Sequence, residues 1–384
     1  FTAPTVTVGS IDISADTGTS DSDFETSTAS QTLTATLSAA AAATDKVYVS
    51  VDGGSSWTDK TSDVTGTPDV DLSTSITLSG SSSIKIKVTD AAGNDGAVAT
   101  QAYVLDTTAP TISISNIAIS ADTGTSNSDW ETKTAAQTLT ATLSAVLEGD
   151  DVVQVSVNAG SSWTAVTGDV TGTALSTSIT LADDTTSAIH IRVLDDAGNA
   201  GTAATQAYTH DDTAPTISYS SVDISADTGT SDSDFETKTA AQTLTVTLSG
   251  AIEADDILQV SVNGGSSWAD DDHAPGDGVS VSTAITLSGS SAIHIRIKDD
   301  AGNIGTATTQ AYVLDTTAPT ISYSGLDISA DTGSSNSDFV TKTAAQTLTA
   351  TLSAAMEGDD VLQVSVNAGT SWTDKTSDVT TTSL

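Results

Sequence analysis

Apolar and polar residues alternate with a period of two through most of the chain, and no stretch carries a capped apolar period of 3.6 residues long enough for a helix. In the second hundred residues the alternation breaks into patches at 111–120, 136–145, 152–158, 162–167, 175–182, 187–194 and 202–209. Each predicts a short strand, since alternate side chains of a pleated chain share one face and can cover a core. The patches are strands A, B, C, a short C′ or D, E, F and G in order. The stretch 155–163, Val-Ser-Val-Asn-Ala-Gly-Ser-Ser-Trp, supplies the Asn and Gly of a tight hairpin leaving strand C.

The whole pattern repeats. Thr-Ala-Pro-Thr stands at Pro4, Pro110, Pro215 and Pro319, spaced by 106, 105 and 104 residues. Between copies the same marks return in order: an Asp-Thr-Gly loop, Gln-Thr-Leu-Thr, the Ser-Trp hairpin, an Ile-x-Ile strand and Asp-x-Ala-Gly-Asn. Seven strands per domain-length period predict an all-β chain of tandem immunoglobulin-like β-sandwiches with Greek-key connections. The modules are read as 1–105, 106–210, 211–314 and 315–384, the last stopping before strands F and G, so that the sequence reads as a window on a longer array. The linker 209–215 is short and ends in a proline of fixed φ, which predicts modules set end to end as a rod.

Composition narrows the chemistry. The 384 residues include 50 Asp and Glu against 11 Lys and Arg, a net charge of −39. Such a polyanion is repelled by nucleic acid and by anionic membranes, no apolar run approaches the ~18–20 residues of a membrane span, and any targeting signal is expected outside this segment. The absence of cysteine removes thiol catalysis, disulfides and zinc-thiolate sites. Two of the four histidines, His190 and His294, fall on equivalent strand-F positions where the first copy has Lys85, and His210 and His273 are read as loop residues. A base missing from equivalent copies, with no nucleophile elbow or phosphate loop in context, predicts no enzyme. Trp57, Trp163, Trp268 and Trp372 follow the hairpin in each copy and are read as core aromatics; exposed, they would instead suit sugar stacking.

The carboxylates return at fixed points of the period. The loop after strand A carries Asp16, Asp21 and Asp23, then Asp122, Asn127 and Asp129, Asp227, Asp232 and Asp234, and Asp331, Asn336 and Asp338. Before strand C stand Asp45, then Glu148, Asp150 and Asp151, Glu253, Asp255 and Asp256, and Glu357, Asp359 and Asp360. After strand F come Asp90 and Asn94, Asp195, Asp196 and Asn199, and Asp299, Asp300 and Asn303, and the linkers hold Asp106, Asp211, Asp212 and Asp315. Strand polarity places the A–B loop of one module against the linker and the B–C and F–G loops of the next. So many carboxylates in one cleft require counter-charge, and hard oxygen ligands without His or Cys suit Ca²⁺. The plainer alternative is that Asp, Asn and Gly are good turn formers. Whether an A–B loop holds its own ion or shares one at the junction stays open.

Asp-x-Ala-Gly-Asn at 90–94, 195–199 and 299–303, followed by Asp-Thr-Thr-Ala-Pro at 106–110 and 315–319, resembles the bacterial Ig-like repeats that extend large biofilm-associated surface adhesins. The resemblance covers the whole chain. It implies secretion to the bacterial cell surface, a non-enzymatic extender carrying a distal binding domain, and Ca²⁺ filling the linkers at the acidic positions named above. The chain departs from the pattern in the Asp211-Asp212-Thr-Ala-Pro linker, in Ala91 where Asp196 and Asp300 stand, and in Thr44 where Asp150, Asp255 and Asp359 stand. The expected partners are Ca²⁺ and neighbouring modules. The alternative reading is a self-associating filament or surface-layer protein, whose partner is an identical chain.

Overall fold

The computed structural model describes all residues except 1, 19, 67–69, 183–184, 254–255, 272–278 and 359, so that Asp255, Asp359 and His273 lie outside the described residues. In the first module the strands are β1 (Val8–Ile13), β2 (Glu25–Thr26), β3 (Ser30–Leu37), β4 (Lys46–Ser50), β5 (Thr58–Asp59), β6 (Val64–Thr65), β7 (Asp71–Thr77), β8 (Ser82–Thr89) and β9 (Ala99–Leu105). They form two sheets, in the orders β1-β3-β7-β6 and β2-β9-β8-β4-β5. The second module repeats them as β10 (Ile114–Ile119), β11 (Glu131–Thr132), β12 (Ala136–Leu143), β13 (Val152–Ser156), β14 (Thr164–Ala165), β15 (Val170–Thr171), β16 (Ala174–Thr180), β17 (Thr185–Leu194) and β18 (Ala204–His210).

The sheets face each other through the residues that the alternation marks. In β8, Ile84, Ile86 and Val88 are fully buried between outward Lys85 and Lys87, and β17 does the same with Ile189, Ile191 and Val193. Each such side chain contributes about 1.5–3 kcal/mol by leaving water. Three separate apolar clusters result, centred on Leu33 and Ile84, on Leu139 and Ile189, and on Leu244 and Ile293. A tyrosine of the last strand closes each of these cores, with Tyr103, Tyr208 and Tyr312 donating to the carbonyls of Val51, Val157 and Val262 at 2.7–2.8 Å. Residues 315–384 carry two two-stranded sheets. The chain divides into two compact units, one of Phe1–Ala214 with Asp299–Asn303, the other of Pro215–Lys298 with Ile304–Leu384.

Four expectations are corrected. The single strand expected at 162–167 is two, β14 and β15, separated by a one-turn 3-10 helix at Thr167–Asp169. A further strand follows the A–B loop: β11 pairs in parallel with the end of β18, through Glu131 with Thr209 and Thr132 with His210. Two residues are too few to show alternation. The histidine expected in a loop, His210, is the fully buried last residue of β18, with Nδ1 3.0 Å from the Ala182 carbonyl. The tryptophans are not in the cores: Trp57, Trp163 and Trp268 lie half-buried on the outer face of the second sheet, beneath Lys87, Arg192 and Arg296, and Trp372 is 59 % exposed.

Candidate functional site

The A–B loop is held by a buried glutamine from the Gln-Thr-Leu-Thr motif. Gln31 accepts from the Ala15 amide at 2.8 Å and donates to the Ala15 and Thr28 carbonyls at 2.9 and 2.7 Å, which fixes both ends of the loop against the start of β3. Gln137 and Gln242 repeat this in the next two modules. Inside the loop, Asp16 Oδ2 accepts from the Phe24 amide at 3.0 Å. Phe24 there takes a left-handed φ of 63°, and Trp130, Phe235 and Phe339 take 67°, 60° and 54°, a conformation a bulky residue adopts only when its surroundings impose it. Asp122, Asp227 and Asp331 accept from these three amides in turn. The other oxygen, Oδ1 of Asp16, Asp122, Asp227 and Asp331, is buried in every copy without a hydrogen-bond partner among the described residues. A second carboxyl, Asp23, Asp129 or Asp234, lies within hydrogen-bonding reach of the first three.

The F–G loop is self-locked. Asp195 accepts from the Asn199 amide at 2.8 Å and from Asn199 Nδ2 at 2.9 Å, and Asp299 binds Asn303 in the same way with both residues buried. The amide nitrogen of each Asn then donates to the linker, Asn199 to the Asp106 carbonyl at 2.9 Å and Asn303 to the Asp211 carbonyl at 2.8 Å. The linker aspartates thus meet the loop through their main chain. Their carboxylates cap the turn instead, Asp106 accepting from Thr108, Asp211 from Thr213 and Asp315 from Thr317, each at 2.8 Å.

Within the first compact unit the A–B loops meet these F–G loops. Thr17 Oγ1 donates to the Ala197 carbonyl at 2.6 Å, and Thr123 Oγ1 to the Ala301 carbonyl at 2.7 Å. The approach is so close that a Cβ on Gly18 would fall on the Asp196 carbonyl, and one on Gly198 on the Thr17 carbonyl. Lys133 Nζ donates to the Gly302 carbonyl at 2.6 Å, whereas the first module has Ser27 at that position.

Of the acidic residues singled out from sequence, Asp16, Asp23, Asp150, Asp151, Asp195 and Asp196 come together electrostatically at the first junction, joined by Glu25, which the sequence reading passed over. Glu25 follows the loop aromatic and recurs as Glu131 and Glu236, a signal available in the repeat. Glu148 and Asp151 cap their own turn, the Glu148 amide donating to Asp151 at 3.1 Å, and Glu357 and Asp360 do likewise. In the third copy the Asp256 amide donates to the Glu253 carbonyl at 3.3 Å. Asp21, Asn127, Asp129, Asp212, Asp232 and Asp234 are exposed, and Asp300 accepts from the next amide, that of Ala301. Among the described residues, no three acidic or imidazole side chains converge as a ready ligand set.

Burial raises the carboxyls of Asp16, Glu25 and Asp196 above their ordinary range, and neighbouring carboxylates push the same way. For Asp122 and Asp129, burial raises the first while backbone amides hold the second down. A raised carboxyl favours the protonated folded state, so its cost is fully present above the folded pKa and vanishes as pH falls toward the ordinary value near ~4. In chelator, the melting midpoint of this unit is therefore expected to rise as pH is lowered from neutrality toward the ordinary carboxylate value of ~4. Below that the sign reverses, since Asp59, held at about 2 by Lys46 and Thr61, and Asp90, held down by Asn94, lose their bonds on protonation. A midpoint that falls steadily as pH is lowered from neutrality toward ~4 would contradict the assignment.

No family model matches the chain, and none of the curated proteins matches it. Among solved structures, a tetra-tandem repeat in the extending region of a large adhesion protein aligns at 17 % identity over 90 % of this chain and 80 % of that one, with a TM-score of 0.22. The FN1–FN3 domains of chicken CNTN1 align at 13 % identity over 80 % of this chain and 98 % of that one, TM-score 0.27. The BSP domain of a biofilm associated protein aligns at 11 % identity over 79 % and 69 %, TM-score 0.17. At these scores the chains do not superpose as wholes.

Proposed function

We propose that the chain is a non-enzymatic extender of a bacterial cell-surface adhesin, a series of sandwiches that holds a distal binding domain away from the cell and is stiffened by Ca²⁺. One observation carries this reading. The same interlock, Thr17 with Ala197 and Asn199 with Asp106, then Thr123 with Ala301 and Asn303 with Asp211, recurs one period apart, built from residues outside the three apolar clusters. The first of these contacts joins two sandwiches inside one compact unit, which is what a spacer requires and a catalyst does not.

The donor set fits a hard cation: Asp16 with Asp23, Asp122 with Asp129 and Asp227 with Asp234 each offer a buried oxygen lacking a donor beside a second carboxyl. Ca²⁺ bound there would supply the positive charge that the local carboxylates lack. The chain's own residues do the rest. Thr17 and Asn199 fix the contact, and Gly18 and Gly198 permit its closeness. Small-angle X-ray scattering in EDTA, then in millimolar Ca²⁺ with Mg²⁺ as control, is expected to show a narrower, more extended size distribution with Ca²⁺ alone. An unchanged profile would leave the carboxylates as turn formers and solubilising charge. A second reading, a self-associating filament or surface-layer protein, requires a face that meets identical chains.

A further inference from the structure

The third residue after the hairpin tryptophan is Lys60 in the first module, Val166 in the second, Asp271 in the third and Lys375 in the fourth. The position faces inward, since Val166 there is 9 % exposed and belongs to the core of its module. In the first module Lys60 lies along a groove of about 190 Å³ between β4 and β5 on one side and β7 on the other. Its Nζ donates to the Ser75 carbonyl at 3.2 Å and pairs with Asp63 at 3.5 Å.

The third module has the same groove with a shorter side chain in it. The groove there measures about 280 Å³ and is lined by Val260, Trp268 and Asp271 from one sheet and Thr283, Ala284 and Ile285 from the other. Ala284 stands where Ser75 does: Ser75 lies opposite Thr32 and Ala284 opposite Thr243, the same register of the same strand pair. Asp271 lies opposite Leu258, which is buried, whereas Asp270 lies opposite Gln259 and accepts from its Nε2 at 2.7 Å. Asp271 has no such donor. Its Oδ2 is buried without a hydrogen-bond partner, and among the described residues no cation pairs with it. A carboxylate oxygen withdrawn from water with no donor is destabilising, and a positive charge brought beside it offsets that cost.

We propose that the groove of the third module binds the ammonium end of an alkyl amine, which takes the place that the Lys60 side chain holds in the first module. The aliphatic stem lies along Val260, Ile285 and Trp268, as lysine stems cover apolar surface while the charged head finds polar partners. The ammonium donates to the Asp271 carboxylate and to the Ala284 carbonyl, as Lys60 Nζ donates to Ser75. A hard metal ion takes six or more oxygens, and one carboxylate between apolar walls does not supply them. The net charge of −39 draws cationic ligands toward the chain. In the second module Val166 fills the position and offers no carboxylate. The site depends neither on the extender reading nor on Ca²⁺.

Nuclear magnetic resonance titration of the isotope-labelled full chain with n-butylammonium, the lysine side chain on its own, tests this in EDTA at neutral pH. Salt at about 0.15 M screens loose attraction to the acidic surface. The amides of Ala269, Asp271, Ala284 and Ile285 are expected to shift saturably, while those at 58–60 and 164–166, the matching positions of the first two modules, stay in place. Asp271→Asn is expected to weaken binding roughly 10-fold or more, the loss of a charge-assisted hydrogen bond. Asp271→Lys, which supplies a tethered ammonium, is expected to abolish it, and circular dichroism melts check that both variants remain folded. Nα-acetyl-lysine amide distinguishes the source: its binding supports the site with a protein lysine as ligand, and binding of n-butylammonium alone supports it with a free amine. Equal shifts in all three modules, n-butanol binding as well as the amine, K⁺ displacing the amine at equal concentration, or an Asp271→Asn variant that binds like wild type would overturn the proposal.

Discussion

Leucine in place of Gln137 is expected to lower the melting midpoint of the second module by roughly 12–24 °C while the transitions of the other two cores stay where they are. Gln137 is 4 % exposed and serves the Ala121 amide and carbonyl, the Thr134 carbonyl and the Ser120 hydroxyl at 2.7–3.0 Å. Leucine fills much the same space and satisfies none of them. Two or three buried main-chain groups without partners cost about 1–3 kcal/mol each, so ~3 kcal/mol is a low total. In a domain of ~100 residues each kcal/mol moves the midpoint by roughly 4–8 °C. Scanning calorimetry resolves the modules, because their apolar clusters are separate. A shift of a few degrees would mean that the loop is held by something other than its glutamine.

That glutamine also marks where the sequence was legible and where it was not. The long strands were readable because each has one face on a core: β12 alternates exposed and buried over its full length. The two-residue strands β11, β14 and β15 have no such length, and their pairing is set by the loops around them. The tryptophans failed for a related reason. Trp163 follows a hairpin instead of sitting within a strand, so no parity assigns it inward or outward, and its partner Arg192 comes from a strand distant in sequence. Gln137 appeared only as a letter in a repeated motif, although its parity with Leu139, Ala141 and Leu143 places it on the inward face of β12; what the alternation does not show is that its amide serves the loop.

The candidate site shows the same division. Carboxylate recurrence and strand polarity were sufficient to gather Asp16, Asp23, Asp195 and Asp196, because charge is visible in a sequence. Which atom of a residue does the work is not visible there. Asp106 and Asp211 contribute carbonyls, and Asp195 and Asp299 spend both oxygens on asparagines in their own loop. The groups that close the junction are a hydroxyl on Thr17, the absent side chains of Gly18 and Gly198, and at the next position Lys133. Close approach selects small residues, and small residues carry no charge or hydropathy signal.

Alanine at Gly18 is accordingly expected to open the first junction without unfolding either neighbour. Its Cβ would fall on the Asp196 carbonyl, and that loop cannot retreat easily: Asp195 locks it through Asn199, and Gly198 already lies against the Thr17 carbonyl. Opening forfeits the bonds from Thr17 to Ala197 and from Asn199 to Asp106, about 0.5–1.5 kcal/mol each, which shifts the closed-to-open ratio by roughly 5- to 150-fold. Amide exchange over 195–201 should accelerate by that factor, with the cores unchanged. Gly9→Ala is the control, since a Cβ there meets nothing. The acid response gives an independent readout. Asp196 owes its raised pKa chiefly to burial, so once the junction is open the rise in midpoint on acidification toward ~4 should flatten. If Gly18→Ala keeps both its exchange protection and its acid response, the loop yields to the added methyl group and the closeness of the contact is not what holds the junction shut.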